Sequence, residues 1–306
     1  GQPGLVVKLS QDGNYEWHAL VNTPTGSISQ CVVAADGSVY ATGFFRSHAW
    51  GVAETQKVFT GMGSSVDNAF VAKFAPDGTP EWIRGPERKG GNPGDNAKSH
   101  GYDIDVDAAG NVYITGAFMK TTDLNFDDGI QEFHTAPGTK WSNTYLIKLD
   151  TKGNTKWHRS WGGVNNTVGR GVVVDNAGGI VVGGWTNPIE MDLDPEDDED
   201  DSTDHDQLMV GIPAGEPGAT DDNNRQMWLS KFNSDGEIQW GHSFGSDRSD
   251  LLYGLTVDAD DNQMCAVCPP GAYCKSLAAA QVQPLHGYWR APWGDCPIAY
   301  LVLNQR

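Results

Sequence analysis

The stretch GYDIDVDAAGNVYITGAF, residues 101–118, decides the fold. Tyr102, Ile104 and Val106, then Val112 and Ile114, recur with a period of two. Successive side chains of a strand point to opposite faces, so this spacing predicts two antiparallel strands. The turn between them carries Gly110, which takes a positive φ without a Cβ clash.

The unit recurs. VAADGSVYATG (33–43), VDAAGNVYITG (106–116) and VDNAGGIVVGG (174–184) are three copies, and a worn copy starts at Val257. A second hairpin interleaves with the first: KLSQDGNYEW (8–17), KFAPDGTPEW (73–82), KLDTKGNTKW (148–157) and KFNSDGEIQW (231–240). The Lys-to-Trp interval is constant, while Trp17, Trp82, Trp157 and Trp240 step by 65, 75 and 83 residues. Two hairpins per repeat make four antiparallel strands, and such units repeated around an axis are the blades of a β-propeller.

The chain therefore reads as all-β, a propeller of about four blades in a partial or composite ring. A half-blade spans 1–20, blades lie at about 27–86, 99–161 and 168–244, and a second half-blade spans 251–264. Residues 265–306 form a separate cysteine-rich module. Each repeated Trp is expected on the outermost strand, filling the wedge between neighbouring blades. Stacking on a sugar is its other use.

The strings GNVYITGAF, TTDLNFDDG, YLIKLDTKGNTKWHRSWGG and GVVVDNAGGIVVGGW resemble the SBBP repeats, a β-propeller repeat family, over roughly residues 1–264. Asp123 to Asp128 and Asp192 to Pro195 resemble that family's Asp-Phe-Asp-Pro-like segment. Val181-Val182-Gly183-Gly184 departs from its Tyr and Thr, and the last copy degrades after Asp258. The resemblance implies a fold and a secreted or surface habit, but no reaction.

The 306 residues carry a formal net charge of −19, and eleven of the 40 acidic residues lie between Glu190 and Asp206. Nucleic acid is a poor partner for such a surface, because phosphate binding needs clustered Lys and Arg. No run of 18 apolar residues exists, so no membrane insertion is expected. Asp192, Asp194, Asp197 and Asp198 in the acidic run are candidates for a Ca²⁺ site, since hard cations take several carboxylate oxygens. The alternative is a solvated, self-repelling loop, as the run lacks the Asp-x-Asp-x-Asp-Gly spacing of a rigid calcium loop.

Four of the five cysteines, Cys265, Cys268, Cys274 and Cys296, crowd into the last 42 residues. CPPGAYC and GYWR there resemble the EGF- or ephrin-receptor-like modules of surface proteins, which implies disulfides and an extracellular or cell-surface location. Four cysteines allow three pairings, which spacing does not choose between. A zinc site from Cys265, Cys268, Cys274, His286 and Cys296 is the alternative. Cys31 stands apart and is expected as a buried thiol on a strand, with an intermolecular bridge as the alternative. Asn165-Asn166-Thr167 is an N-glycosylation sequon, with Asn165 as acceptor.

No Gly-x-Ser-x-Gly is present, and His18, His158 and His242 follow the repeated Trp, so they read as repeat positions. Asp105, Asp107, Asp258 and Asp260 read as turn residues that bond their own backbone. The leading reading is a non-enzymatic binding or structural protein whose partners are a protein or glycan at the cell surface, or other copies of itself. Inserts at 47–66, 119–141 and 187–225 differ in every repeat and offer docking loops. The other reading is a propeller enzyme acting on polysaccharide in the central channel.

Overall fold

Seven glycines at hairpin turns, Gly13, Gly37, Gly78, Gly110, Gly153, Gly178 and Gly236, have φ between +79° and +85°. In the first, Gly13 N–H donates to the Ser10 carbonyl at 2.9 Å and Ser10 N–H donates to the Asn14 carbonyl at 2.8 Å. This is a three-residue hairpin turn that ends in a left-handed residue, and it recurs at each of the other six.

The computed structural model describes residues 4–21, 25–46, 48–50, 58–60, 66–86, 97–127, 130–136, 141–163, 165–187, 193, 225–244, 251–252, 254–257 and 263–266. All regular structure among them is strand. Strands β1 (Gly4–Leu9) and β2 (Tyr15–Val21) form a two-stranded sheet. Then come β3 (Thr25–Val33), β4 (Val39–Arg46), a small hairpin of β5 (His48–Trp50) and β6 (Val58–Thr60), β7 (Asn68–Phe74) and β8 (Pro80–Arg84). The second repeat supplies β9 (Lys98–Val106), β10 (Val112–Met119), the small hairpin β11 (Thr121–Asp123) and β12 (Phe133–Thr135), β13 (Ser142–Leu149) and β14 (Thr155–Trp161). The third supplies β15 (Thr167–Val174), β16 (Ile180–Thr186), β17 (Gln226–Phe232) and β18 (Ile238–Phe244), and β19 (Gly254–Val257) pairs with β20 (Gln263–Ala266).

Three four-stranded antiparallel sheets result, ordered β3-β4-β7-β8, β9-β10-β13-β14 and β15-β16-β17-β18. They stack in chain order. One apolar cluster joins Val6, Ala19 and Val21 of the first hairpin to Phe45, Phe70 and Phe74 of the first sheet. A second joins Tyr40, Ala69 and Val71 to Tyr145, Ile147 and Leu149. A third joins Tyr113, Leu146 and Trp161 to Val172, Ile180, Trp228 and Phe232. Strands β7, β13 and β17 are buried along nearly their whole length, on both faces, so their apolar runs do not alternate.

Two expectations fail. Cys31 is an exposed free thiol on β3. Its repeat counterparts Ile104 and Val172 are buried because a preceding four-stranded sheet lies over them. Among the described residues the two-stranded β1–β2 hairpin precedes β3, and it leaves Cys31 exposed. Asp105 is not a turn residue: it lies within β9, and its Oδ2 accepts the Val174 N–H of the next sheet at 2.7 Å. Asp107 does cap its turn, accepting Ala109 and Asn111 N–H at 2.9 and 2.8 Å. Asp258 and Asp260 lie outside the described residues.

Candidate functional site

Three arrangements place polar side chains where they could act: the seams between sheets, a cleft lined by β3, β9, β15 and β19, and a cluster beside β14. The seams are built by the repeated hairpin. Trp17 Nε1–H donates to the Pro76 carbonyl at 2.9 Å, Trp82 to Thr151 at 3.2 Å and Trp157 to Ser234 at 3.1 Å. Each acceptor lies in the turn of the following sheet. Each indole ring also lies against that turn's glycine: a Cβ built on Gly78, Gly153 or Gly236 would come within 2.6, 3.1 or 3.0 Å of ring atoms. The repeat lysines Lys8, Lys73 and Lys148 donate to the same three carbonyls at 3.3, 3.4 and 2.7 Å. Arg84 and Arg159 add a bond to Gly153 and Gly236 carbonyls at 3.2 and 3.1 Å, and each guanidinium lies 5.5 Å from the centroid of its own sheet's tryptophan.

Trp240, the fourth of the set, is half-buried and stacks on His242 at 5.3 Å. Lys231 pairs with Asp175 of its own sheet at 2.7 Å, where the other three repeat lysines reach the next turn.

Strands β3, β9, β15 and β19 converge on a cleft of about 310 Å³. Its polar lining includes Gln30, Cys31, Asp103, Asp105 and Thr256. Asp103 Oδ2 accepts Val172 N–H at 2.9 Å, as Asp105 accepts Val174 N–H, so the two carboxylates tie β9 to β15. Burial pushes the Asp103 carboxyl up to about 7, against the opposing pull of its Val172 and Ile104 N–H bonds, and burial raises Asp105 as well. A carboxyl near neutrality can exchange protons at working pH. Both carboxylates, however, come from one strand and hold backbone amides.

A third cluster escaped the sequence reading. Glu132, His134, His158 and Ser160 meet where the β11–β12 hairpin folds over β14. His158 Nε2 bonds to the Glu132 carboxylate, and His134 Nδ1 bonds to Ser160 Oγ at 2.7 Å. The two imidazoles stand edge to face at 4.7 Å. Burial, then the charge of His158, lowers His134 to about 4, so it is neutral at physiological pH. Nothing in the spacing marked it, since Glu132 and His134 sit in an insert whose sequence differs from repeat to repeat, although the first repeat has a small hairpin, β5–β6, at the same place.

Of the sites read from sequence, Asn165 lies partly exposed in the connection between β14 and β15, with the sequon's Thr167 buried at the start of β15. The backbone of Cys265 lies in β20. Asp192, Asp194, Asp197, Asp198, Cys268, Cys274 and Cys296 fall outside the described residues. Leu193, between two of those aspartates, is described and buried, as is Leu124 at the matching place in the second repeat. Among the described residues no three His, Cys, Asp or Glu are grouped to hold a metal, and no helix is long and apolar enough to cross a membrane.

Compared with protein-family models and with curated proteins, the chain matches none. The likeness to SBBP repeats therefore rests on the repeat strings alone.

Proposed function

We propose that the protein is an extracellular β-propeller that works without catalysis, as a scaffold binding a protein or glycan at the cell surface. The observation that carries the reading is the recurrent seam. The same Lys, Trp and turn glycine join consecutive sheets three times, while the inserts between the second and third strands of each sheet vary in length and sequence. A constant framework with variable loops is the layout of a recognition scaffold. The convergence of β3, β9, β15 and β19 on one cleft supports a radial, propeller-like arrangement of the sheets. On this reading the Cys265–Cys296 tail is disulfide-bonded and Asn165 carries glycan. The acidic run at 190–206 either holds Ca²⁺ or remains a solvated loop.

The cleft keeps the polysaccharide-degrading enzyme as the second reading, because Asp103 near neutrality is a group that glycoside hydrolysis uses. Against it, the two cleft carboxylates among the described residues are two positions apart on β9, where opposed walls would be needed.

A glycan array probed with the full chain, followed by a reducing-end assay on every polymer bound, separates the two. Binding with no new reducing ends is the expected result. Reducing ends released by the wild type and lost in Asp103→Asn would overturn the scaffold reading in favour of the enzyme. Mass measurement after alkylation, with and without prior reduction, should show the four tail cysteines protected until reduced.

A further inference from the structure

We propose that the chain binds a second copy of itself head to tail, the Trp240 edge of one copy seating on the Gly13 turn of the next. This rests on the scaffold reading and names its partner.

The contact's chemistry is on the page three times. A donor edge offers an indole N–H and, in the second and third seams, an arginine two residues on. A receiving turn offers one outward carbonyl and a glycine whose bare Cα lets the ring lie close. At Gly13 the receiver is complete. Its φ is +79°, against +85°, +80° and +85° at Gly78, Gly153 and Gly236, and its closing hydrogen bonds are the same. Gln11 holds the place of Pro76, Thr151 and Ser234, whose carbonyls accept the indole. Yet among the described residues nothing lies within 4 Å of a Cβ built on Gly13.

The sheet face beside that turn is of the same kind. Leu5, Val7 and Leu9 of β1 are 54%, 47% and 56% exposed. Their repeat counterparts Phe70, Ala72 and Phe74 are 1%, 2% and 0% exposed, covered by the preceding hairpin. An apolar strip next to a receiving turn is thus presented outward at the β1–β2 end. The donor edge is presented at the other end. Trp240 follows Lys231 at the repeat interval, and among the described residues the ring it meets is His242, at the position of Arg84 and Arg159.

A second copy is the occupant singled out because the three internal seams are this repeat recognising itself. Among the described residues each chain offers one donor edge, at Trp240, and one receiving turn, at Gly13, on different surfaces. Such a heterologous contact does not stop at a dimer: it closes into a ring or runs on as a filament.

Sedimentation velocity of the full chain across a wide concentration range tests it. The wild type should grow into species larger than a dimer as concentration rises. Trp240→Ala, which keeps the receiving turn, should weaken association by about tenfold or more. Leu5→Glu with Leu9→Glu, which keeps the donor edge, should do the same; these side chains are exposed, so folding should survive, as far-UV circular dichroism would verify. Mixed, the two variants should form a one-to-one dimer and nothing larger. Trp240→Phe, keeping a ring without the N–H, should recover part of the association. A wild type that stays monomeric at every concentration overturns the proposal, as do variants that still associate alone or fail to dimerise when mixed. Monomers whose melting temperature falls in Trp240→Ala would mean that the seam closes within one chain. That outcome removes the self-association and leaves the scaffold reading to the glycan test.

Discussion

The middle of the chain and its first hairpin are written with the same residues, but they live in different surroundings. Phe70 and Leu5, Ile104 and Cys31, Gly153 and Gly13 are pairs of repeat counterparts. In each pair the first is covered by a preceding sheet and the second faces outward. Burial here belongs to the neighbour as much as to the residue. The hydrophobic gain from covering an apolar strip is available only once the next sheet arrives.

The largest expected effect comes from putting a side chain under a seated tryptophan. Gly153→Val combines a β-branched residue at φ +80° with a clash against Trp82, and it should cost about 3–4 kcal/mol. Gly13→Val meets only the backbone strain and should cost about 1–2 kcal/mol. Urea unfolding of the two variants reads the difference, and equal costs would erase the contrast between seam and end.

Removing the ring comes next. Trp157→Ala should cost about 3 kcal/mol, since it loses both packing and an indole bond to Ser234. Trp240→Ala, measured on dilute protein, should cost less than about 1 kcal/mol. A loss as large as that of Trp157 would show the last edge to be occupied.

The carboxylate that ties β9 to β15 gives a smaller, pH-dependent effect. Asp103 titrates at about 7 when folded against 3.8 as a free side chain, so its neutral form favours the fold. Its contribution is complete below about pH 4 and is lost as pH rises through 7. The full shift is discounted because part of Asp103 faces the cleft, which leaves about 2 kcal/mol. Asp103→Asn should flatten the thermal-stability profile between pH 4 and 8, and an unchanged slope would place the titration elsewhere.

The smallest effect belongs to the thiol. Cys31→Ile should change stability by less than about 0.5 kcal/mol, whereas Ile104→Cys, under a neighbouring sheet, should cost about 1–2 kcal/mol. Iodoacetamide should label Cys31 in the native protein, as peptide mapping would show.

The hairpins were legible in the sequence because their signals are local. Glycine at a fixed place, alternation on either side and a closing tryptophan all fall within a dozen residues. What lay between hairpins was not. No spacing says that Trp82 meets Gly153, 71 positions on, or that Asp105 reaches from β9 to the Val174 amide of the next sheet. Cys31 was misread because alternation reports which way a side chain points, and not whether anything stands opposite. The Glu132–His134–His158–Ser160 cluster was invisible for another reason: half of it comes from an insert whose sequence is not repeated.

The interval from repeat lysine to repeat tryptophan never changes length, and the seams explain why. In the two middle copies, 73–82 and 148–157, the turn is held by the ring before it and the copy's own ring holds the turn after it. A residue added there would misalign two contacts at once. Length is gained instead in the connections between the second and third strands, outside the interval that neighbouring sheets hold from both sides. The molecule is in that sense a chassis: a foreign peptide spliced between β5 and β6 rides along, and the same peptide between Lys148 and Trp157 breaks the chain of handholds on both sides.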